Sequence, residues 1–341
     1  MKMPIYNFLL SEICLENINW EDRSFSYHFF DEPSCELINS IKKWGPLTPP
    51  LLRPKANQSY QIVLGFNRIS ALKSLNYKKI PCQIINRRND KDDGNLWELV
   101  ISEYLCSGKS HIFDQSVILN KILKIYNKDR LISDILPLFN LPKSSNVLDQ
   151  IIPLIDLEEE LAKSVLLDKI SLHMALRLLK LESFERLYLG RFFIYYKFSK
   201  SKQFEILEYL LDLKKIFSLE IDQLLAKIGW EISNSSCDIE TKNLPQSAEQ
   251  IRLKIRSLRY PKLTSLEKEY NSAIKSLKLA HGINLKPPPF FEGNTFQLNI
   301  TYQSKEILKQ KIIELNNIIK NQSDTLDTLH KIPFLTTQIT K

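Results

Sequence analysis

The stretch from Tyr60 to Leu72 runs from an apolar strand through Gly65 straight into a helical segment. A helix opened in this way aims its unpaired first-turn N–H groups past the strand end, where a phosphate is readily bound. Arg68, on that first turn, can add a charge-assisted bond to a phosphate oxygen. Taken by residue type alone, a tight turn at Gly65 and a solvated Arg68 explain the same letters, so the surroundings have to decide.

A second set of polar residues, Lys143, Ser144, Ser145, Asn146 and Gln150, falls on the early turns of a helix expected from about Ser144 to Leu154. Asn and Gln can read adenine edges and Ser can hold phosphate. Arg, the commonest base reader, is absent there, and Asp149 would repel a phosphate backbone. The densest basic group is Arg252, Lys254, Arg256, Arg259 and Lys262, on a face that is either a phosphate-contacting surface or simply solvated. The chain as a whole carries 47 Lys plus Arg against 39 Asp plus Glu, a net +8 that favours polyanionic partners.

Metal and disulfide chemistry find little support. Cys14, Cys35, Cys82, Cys106 and Cys237 are widely spaced, with no C-x-x-C pair and no His at ligand spacing, and read as reduced thiols. Met1 to Leu10 lacks the apolar core of a signal peptide, and no run approaches the roughly 20 apolar residues of a membrane span. A cytoplasmic protein without a membrane partner is the expectation.

The elements that must position these residues give an α+β protein. Strand Phe8 to Ile13 precedes a helix introduced by Asp31, Glu32, Pro33 and Ser34, with Leu37, Ile38, Ile41 and Trp44 as its apolar face and Gly45 as its stop. Short strands at Leu51 to Arg53 and Tyr60 to Leu64, separated by the turn Lys55 to Gln58, a helix from about Asn67 to Leu75 and a strand Cys82 to Ile85 complete a small mixed α/β domain, 1–95. Helices alone follow in 96–232. Ile118, Ile122 and Ile125 share a face, and Ile132, Ile135 and Leu136 precede a Ser-capped turn into Val147, Ile151 and Leu154, the layout of a helix-turn-helix. A polar linker, 233–245, leads into a small α+β C-terminal domain, 246–341. There Ser247 with Gln250 and Thr264 with Glu267 read as capping boxes, the second helix running to about Leu279, and Pro287 to Pro289 close the helical run. Phe296, Leu298, Ile300 and Tyr302 alternate as a strand for which Ile283 to Leu285 is a candidate partner, and Leu308 to Ile319 forms a last helix.

Order and spacing carry a resemblance across roughly Phe8 to Leu181. Ser40 to Pro54 (SIKKWGPLTPPLLRP) and Tyr60 to Pro81 (YQIVLGFNRISALKSLNYKKIP) resemble two loops and strands of the ParB partition-protein family, in the ParB and sulfiredoxin superfamily, and Ile170 to Leu179 resembles the segment after that family's helix-turn-helix. The resemblance implies a CTP site with Mg²⁺, made here by Gly45, Gly65, Phe66, Asn67 and Arg68. It implies Glu103 as the metal-associated and catalytic carboxylate of at most a weak CTPase, together with DNA binding in partition, nucleoid organisation or transcription and a homodimer. The departures remove positive charge: Phe66, Asn67 and Ser70 replace the family's Glu and two Arg residues, and Tyr104 and Ser107 replace an Asn and an Arg. Lys73 and Lys109 are candidate substitutes.

Two other readings stay open. One is a nucleotide-dependent small-molecule kinase with Glu103 as base, and the other is a nucleotide-independent interaction protein. Sulfiredoxin-type thiol chemistry is excluded because Asn67 stands where a Cys would be needed, and nuclease chemistry lacks paired carboxylates beside Gly65.

Overall fold

The computed structural model describes residues 8–30, 32–55, 58–85, 93–108, 110–230, 244–293 and 295–321. Asp31, Ala56, Asn57, Lys109, Cys237 and most of the expected linker lie outside them. The chain divides into two units, Met1–Gly190 and Arg191–Lys341.

In the first unit, β1 (Phe8–Cys14), β2 (Ile18–Asn19), β3 (Leu51–Pro54), β4 (Tyr60–Leu64) and β5 (Lys79–Ile85) form one sheet in the order β1-β5-β3-β4-β2. The outer strand β1 runs antiparallel to β5, pairing Phe8 with Ile85 and Cys14 with Lys79, whereas β3 lies parallel to β5 and antiparallel to β4. Leu52, Ile62, Val63, Ile80 and Cys82 are fully buried, and because Ile62 and Val63 are consecutive in β4 and point to opposite faces, the centre of the sheet is covered on both sides.

Two helices, α1 (Cys35–Trp44) and α2 (Phe66–Ser74), pack together. Ser34 caps α1 by accepting from Leu37 N at 3.3 Å. Ile41 is the buried residue of α1, and Trp44, expected on its apolar face, is 66% exposed. It is the last helical residue, where the chain already turns away at Gly45, and the Lys43 amine sits over its ring at 4.7 Å. In α2, Ile69, Ala71 and Leu72 are buried.

Helices then continue as α3 (Asp93–Cys106), α4 (Ile112–Ile122), the short turn α5 (Lys128–Arg130), α6 (Ser145–Ile151), α7 (Glu159–Leu166), α8 (Leu172–Leu178) and α9 (Ser183–Tyr196). Helical turns extend α5 to Phe139, where Asn140 in the left-handed region ends the run before α6. Leu148, Ile151 and Leu154 bury the second member of this pair, and Ser116 Oγ of α4 donates to Ile152 O at 3.1 Å. Ser144 stands at the cap position of α6 without a side-chain capping bond, and Ile125 is 42% exposed because α4 has ended at Ile122.

The second unit holds α10 (Lys200–Phe217), α11 (Ile221–Lys227), α12 (Leu244–Arg259), α13 (Pro261–Leu277), the antiparallel pair β6 (Ile283–Lys286) and β7 (Gln297–Ile300), and α14 (Lys305–Asn321). Neither expected capping box forms. Ser247 lies inside α12, and α13 starts at Pro261, a residue preorganised for a first helical turn, so Thr264 is already helical and donates back to Tyr260 O at 2.9 Å. Pro287 to Pro289 follow β6 instead of ending a helix, while β7 pairs Leu298 with Leu285 as expected from the alternation. The architecture is α+β: a mixed α/β sheet domain, a helical region, and a small C-terminal sheet with helices.

Candidate functional site

Gly65 sits between β4 and α2 with φ +94°. A Cβ there would come within 3.1 Å and 3.2 Å of Pro50 side-chain and backbone carbons, so both conformation and space call for glycine. The close approach lets α2 begin at Phe66 directly off the strand, placing its first-turn N–H groups at the strand end. The Arg68 guanidinium donates to Thr48 O at 3.2 Å and, through Nη2, to Glu103 Oε1 at 2.6 Å.

Glu103 lies on the last turns of α3, whose start is tied to the sheet by a chain of polar contacts. Arg53 of β3 donates to Gln61 Oε1 at 2.7 Å and to Asp93 Oδ1 at 2.6 Å, and Gln61 donates to Asp22 Oδ2 at 2.6 Å. The second oxygen of Glu103 accepts from Tyr27 Oη at 2.9 Å. Burial, together with the Glu103 charge, pushes the Tyr27 phenol far above its usual range, so this hydroxyl acts as a fixed donor.

Tyr27 belongs to an irregular segment tied to α4. Lys121 Nζ donates to Arg23 O and Ser26 O at 2.5 and 2.6 Å, and Phe29 N donates to Asp114 Oδ1 at 2.8 Å. Asp114 is nearly buried, and its other oxygen faces His111 Nε2 at 3.2 Å. Burial pushes the Asp114 carboxyl up to about 7, an effect the Phe29 N–H partly opposes, and burial lowers His111.

Between these elements lies a cavity of about 370 Å³ lined by Gly65, Asn67, Arg68, Glu103, Asp114 and Tyr27, among others. The glycine cradle and the helix start fit a phosphate group. For a divalent cation the residues fit differently. Among the described residues no cluster of His, Cys, Asp and Glu could hold a metal by itself, so Mg²⁺ at Glu103 would need most of its ligands from phosphate oxygens and water.

Residues 8–96 match the family described as the ParB N-terminal domain. The match covers the sheet domain that holds Gly65 and Arg68 and reaches into the start of α3. No curated protein matches the chain. Among solved structures, the chain is similar to the C-terminally truncated chromosome-partitioning protein ParB from Caulobacter crescentus complexed with CTP-gamma-S, at 20% identity over 54% of this chain and 98% of that one, with a TM-score of 0.22. It is also similar to the same protein complexed to the centromeric parS site, at 16% identity over 57% and 96% with a TM-score of 0.31. A Pnob8-like ParB-N domain is similar at 14% identity over 73% and 99%, with a TM-score of 0.34.

Within the matched region the departures from the ParB pattern go to different places. Phe66 is buried, 6.4 Å from Trp20 with the Arg23 guanidinium 5.2 Å from its ring, and so belongs to the packing of α2. Asn67 lines the cavity. Gly45 ends α1 at φ +70° and faces open space, apart from the cavity lining. Lys73 lies with its amine 5.5 Å from the Trp20 ring, beside a different, smaller cavity.

The candidate DNA-reading residues Lys143, Ser145, Asn146 and Gln150 are exposed, and Ser144 is half-buried. Asn146 and Gln150 are a helical turn apart and share a face. Asp149 pairs with Lys128 at 3.4 Å on the surface. In the second unit the arginines of α12 are already engaged with carboxylates: Arg252 with Glu205 and Glu249, Arg256 in a two-bond pair with Glu267, and Arg259 with Asp212 at 2.8 Å. Much of the expected basic face is neutralised within the protein.

Tyr27, His28, Phe30, Glu32, His111 and Asp114 complete the cavity and escape the sequence reading. The one local signal was His111 capping α4 by accepting from Asp114 N at 3.2 Å, and His is an unusual capping residue.

Proposed function

We propose that this protein is a ParB-like DNA-associated protein that binds a cytidine nucleotide at the Gly65 helix start, acting at the nucleoid in DNA partition, nucleoid organisation or transcription. The observation that carries this reading is the convergence of Gly65, Asn67, Arg68 and Glu103, from β4, α2 and α3, on a single cavity. Asn67, the first-turn N–H groups and Arg68 would hold phosphate oxygens, and Glu103 would face an accompanying Mg²⁺. Lys143, Ser144, Ser145, Asn146 and Gln150 on and before α6 would meet the DNA.

A homodimer joined through the C-terminal elements is part of the proposal. Ile312, Ile313 and Ile319 of α14 are 43%, 59% and 48% exposed, and β6 and β7 form a sheet of only two strands. Both features favour a second copy. No helix among the described residues is long and apolar enough to cross a membrane. The kinase alternative gains nothing from the geometry, since both Glu103 oxygens are engaged by Arg68 and Tyr27, which is a poor setting for a general base.

Calorimetry with CTP, ATP and ADP, each with Mg²⁺, tests the site, and gel shifts across salt concentrations test the DNA contact. CTP binding that Arg68→Ala abolishes is the expected result. Equal affinity of wild type and Arg68→Ala would remove Arg68 from the site, and no nucleotide binding together with no salt-dependent DNA binding would leave an interaction protein.

A further inference from the structure

Arg68 has two bonds inside its own chain. Its Nη1 donates to Thr48 O at 3.2 Å and its Nη2 to Glu103 Oε1 at 2.6 Å, with both partners of the ion pair about a quarter exposed. At that distance and burial the contact is a strong charge-assisted bond and not a loose surface pair. Glu103 is held from its other side by the Tyr27 hydroxyl at 2.9 Å, and α3 is anchored at its beginning by Arg53 and Asp93. The carboxylate is therefore preorganised against the guanidinium that a phosphate needs.

We infer that Glu103 is a built-in competitor for the phosphate position, so that an incoming phosphate must displace its carboxylate from Arg68. The inference rests on the nucleotide reading of the cavity and adds its regulation: affinity is set by how tightly Tyr27 and α3 hold Glu103 in place. The carboxylate holds Nη2 through one short bond while Nη1 is turned to Thr48 O, so a phosphate that is to take a two-oxygen hold on the Nη1 and Nη2 pair has to replace the Glu103 contact. Glu103 also adds negative charge to a cavity whose lining already includes Glu32, so a free phosphate meets repulsion as well as an occupied donor. Ligand binding would turn the freed Glu103 toward solvent or toward a cation brought in by the ligand. The end of α3 would then be in different surroundings in the bound and free states.

The test measures CTP and CMP affinity of the full chain by calorimetry in the presence of EDTA, which removes any role of Glu103 toward a divalent cation. Glu103→Gln keeps the shape and the contact to Tyr27 but removes the charge, and is expected to bind at least about tenfold more tightly than wild type, about 1.4 kcal/mol. Tyr27→Phe keeps the charge and removes the anchor, giving a smaller gain of about two- to threefold and a second readout should Glu103→Gln fail to fold. Arg68→Ala in either background should lose the gain. Wild-type binding with no tightening in either variant overturns the inference while leaving the nucleotide reading intact. An absence of binding by wild type and all variants, with and without Mg²⁺, overturns both.

Discussion

Arg53 of the central strand β3 meets Asp93, the first residue of α3, at 2.6 Å, while its Nε donates to Gln61 on the neighbouring strand β4. The helix that carries Glu103 is thereby pinned to the sheet about 15 Å upstream of it, at 1.5 Å rise per residue. The Arg53 side chain is 11% exposed and lies with its guanidinium 5.2 Å from the Phe25 ring, whereas Asp93 is 54% exposed. Arg53→Ala should lower stability by about 2–4 kcal/mol, because Gln61 loses its buried partner, and Asp93→Asn by no more than about 1 kcal/mol. Urea denaturation of the two single variants and the double variant measures this; equal losses from both would show that the exposed pair, and not the buried Gln61 contact, anchors α3.

Gly65→Ala should cost about 1–3 kcal/mol, since φ +94° is a left-handed conformation and the new methyl would sit at 3.1 Å from Pro50 Cβ. Gly45→Ala is the comparison in open space: its φ +70° and ψ −175° lie in a region essentially confined to glycine, so it should cost about 1–3 kcal/mol from conformation alone. Nucleotide affinity should fall for the first variant and not for the second. A Gly45→Ala protein with the larger binding loss would move the phosphate position to the α1 loop.

Asp114 predicts a pH dependence. Its folded-state value of about 7 lies above the ordinary 3.8 of an unfolded Asp, so the native state binds the extra proton between those values. The contribution to stability is full below about pH 3.8 and is lost as the pH rises through about 7. Each unit is worth about 1.4 kcal/mol, so the loss amounts to a few kcal/mol. Asp114→Asn stays neutral throughout and can still accept from Phe29 N. Relative to wild type it should gain stability steadily from about pH 4 to about pH 7 and level off above that in matched denaturation series. A flat difference across that range would mean that Asp114 is ionised at an ordinary pKa.

The legibility of these features follows how local their causes are. The turn from β4 through Gly65 into α2 could be read because a glycine between a strand and a helix is a contiguous signal, and the paired strands β6 and β7 were readable from alternation. Tyr27 and Asp114 were not readable: an irregular segment brings in the first, and burial, partly opposed by the Phe29 N–H, changes the chemistry of the second. Trp44 kept the helical spacing of a core residue, yet α1 ends at that position and the ring stays outside. The arginines of α12 read as a phosphate-contacting face because Glu205 and Asp212, which neutralise Arg252 and Arg259, lie 47 residues earlier in the chain.

This last point separates two candidate DNA surfaces. Lys143, Asn146 and Gln150 are exposed on the first unit, so Asn146→Ala and Gln150→Ala should each weaken specific binding by about 1–3 kcal/mol. Lys143→Ala should weaken binding to all sequences and reduce the slope of log affinity against log salt by about 1. Arg256 is held in a two-bond pair with Glu267 that is roughly a quarter to a third exposed, and Arg256→Ala should therefore act on folding, lowering stability by about 1–2 kcal/mol while leaving the salt slope unchanged. Gel shifts over a salt series, run beside thermal melts of the same proteins, resolve the two effects. A reduced salt slope for Arg256→Ala with an unaltered melting temperature would mean that the guanidinium leaves Glu267 for DNA phosphate, and the interface would then belong to α12 instead of α6.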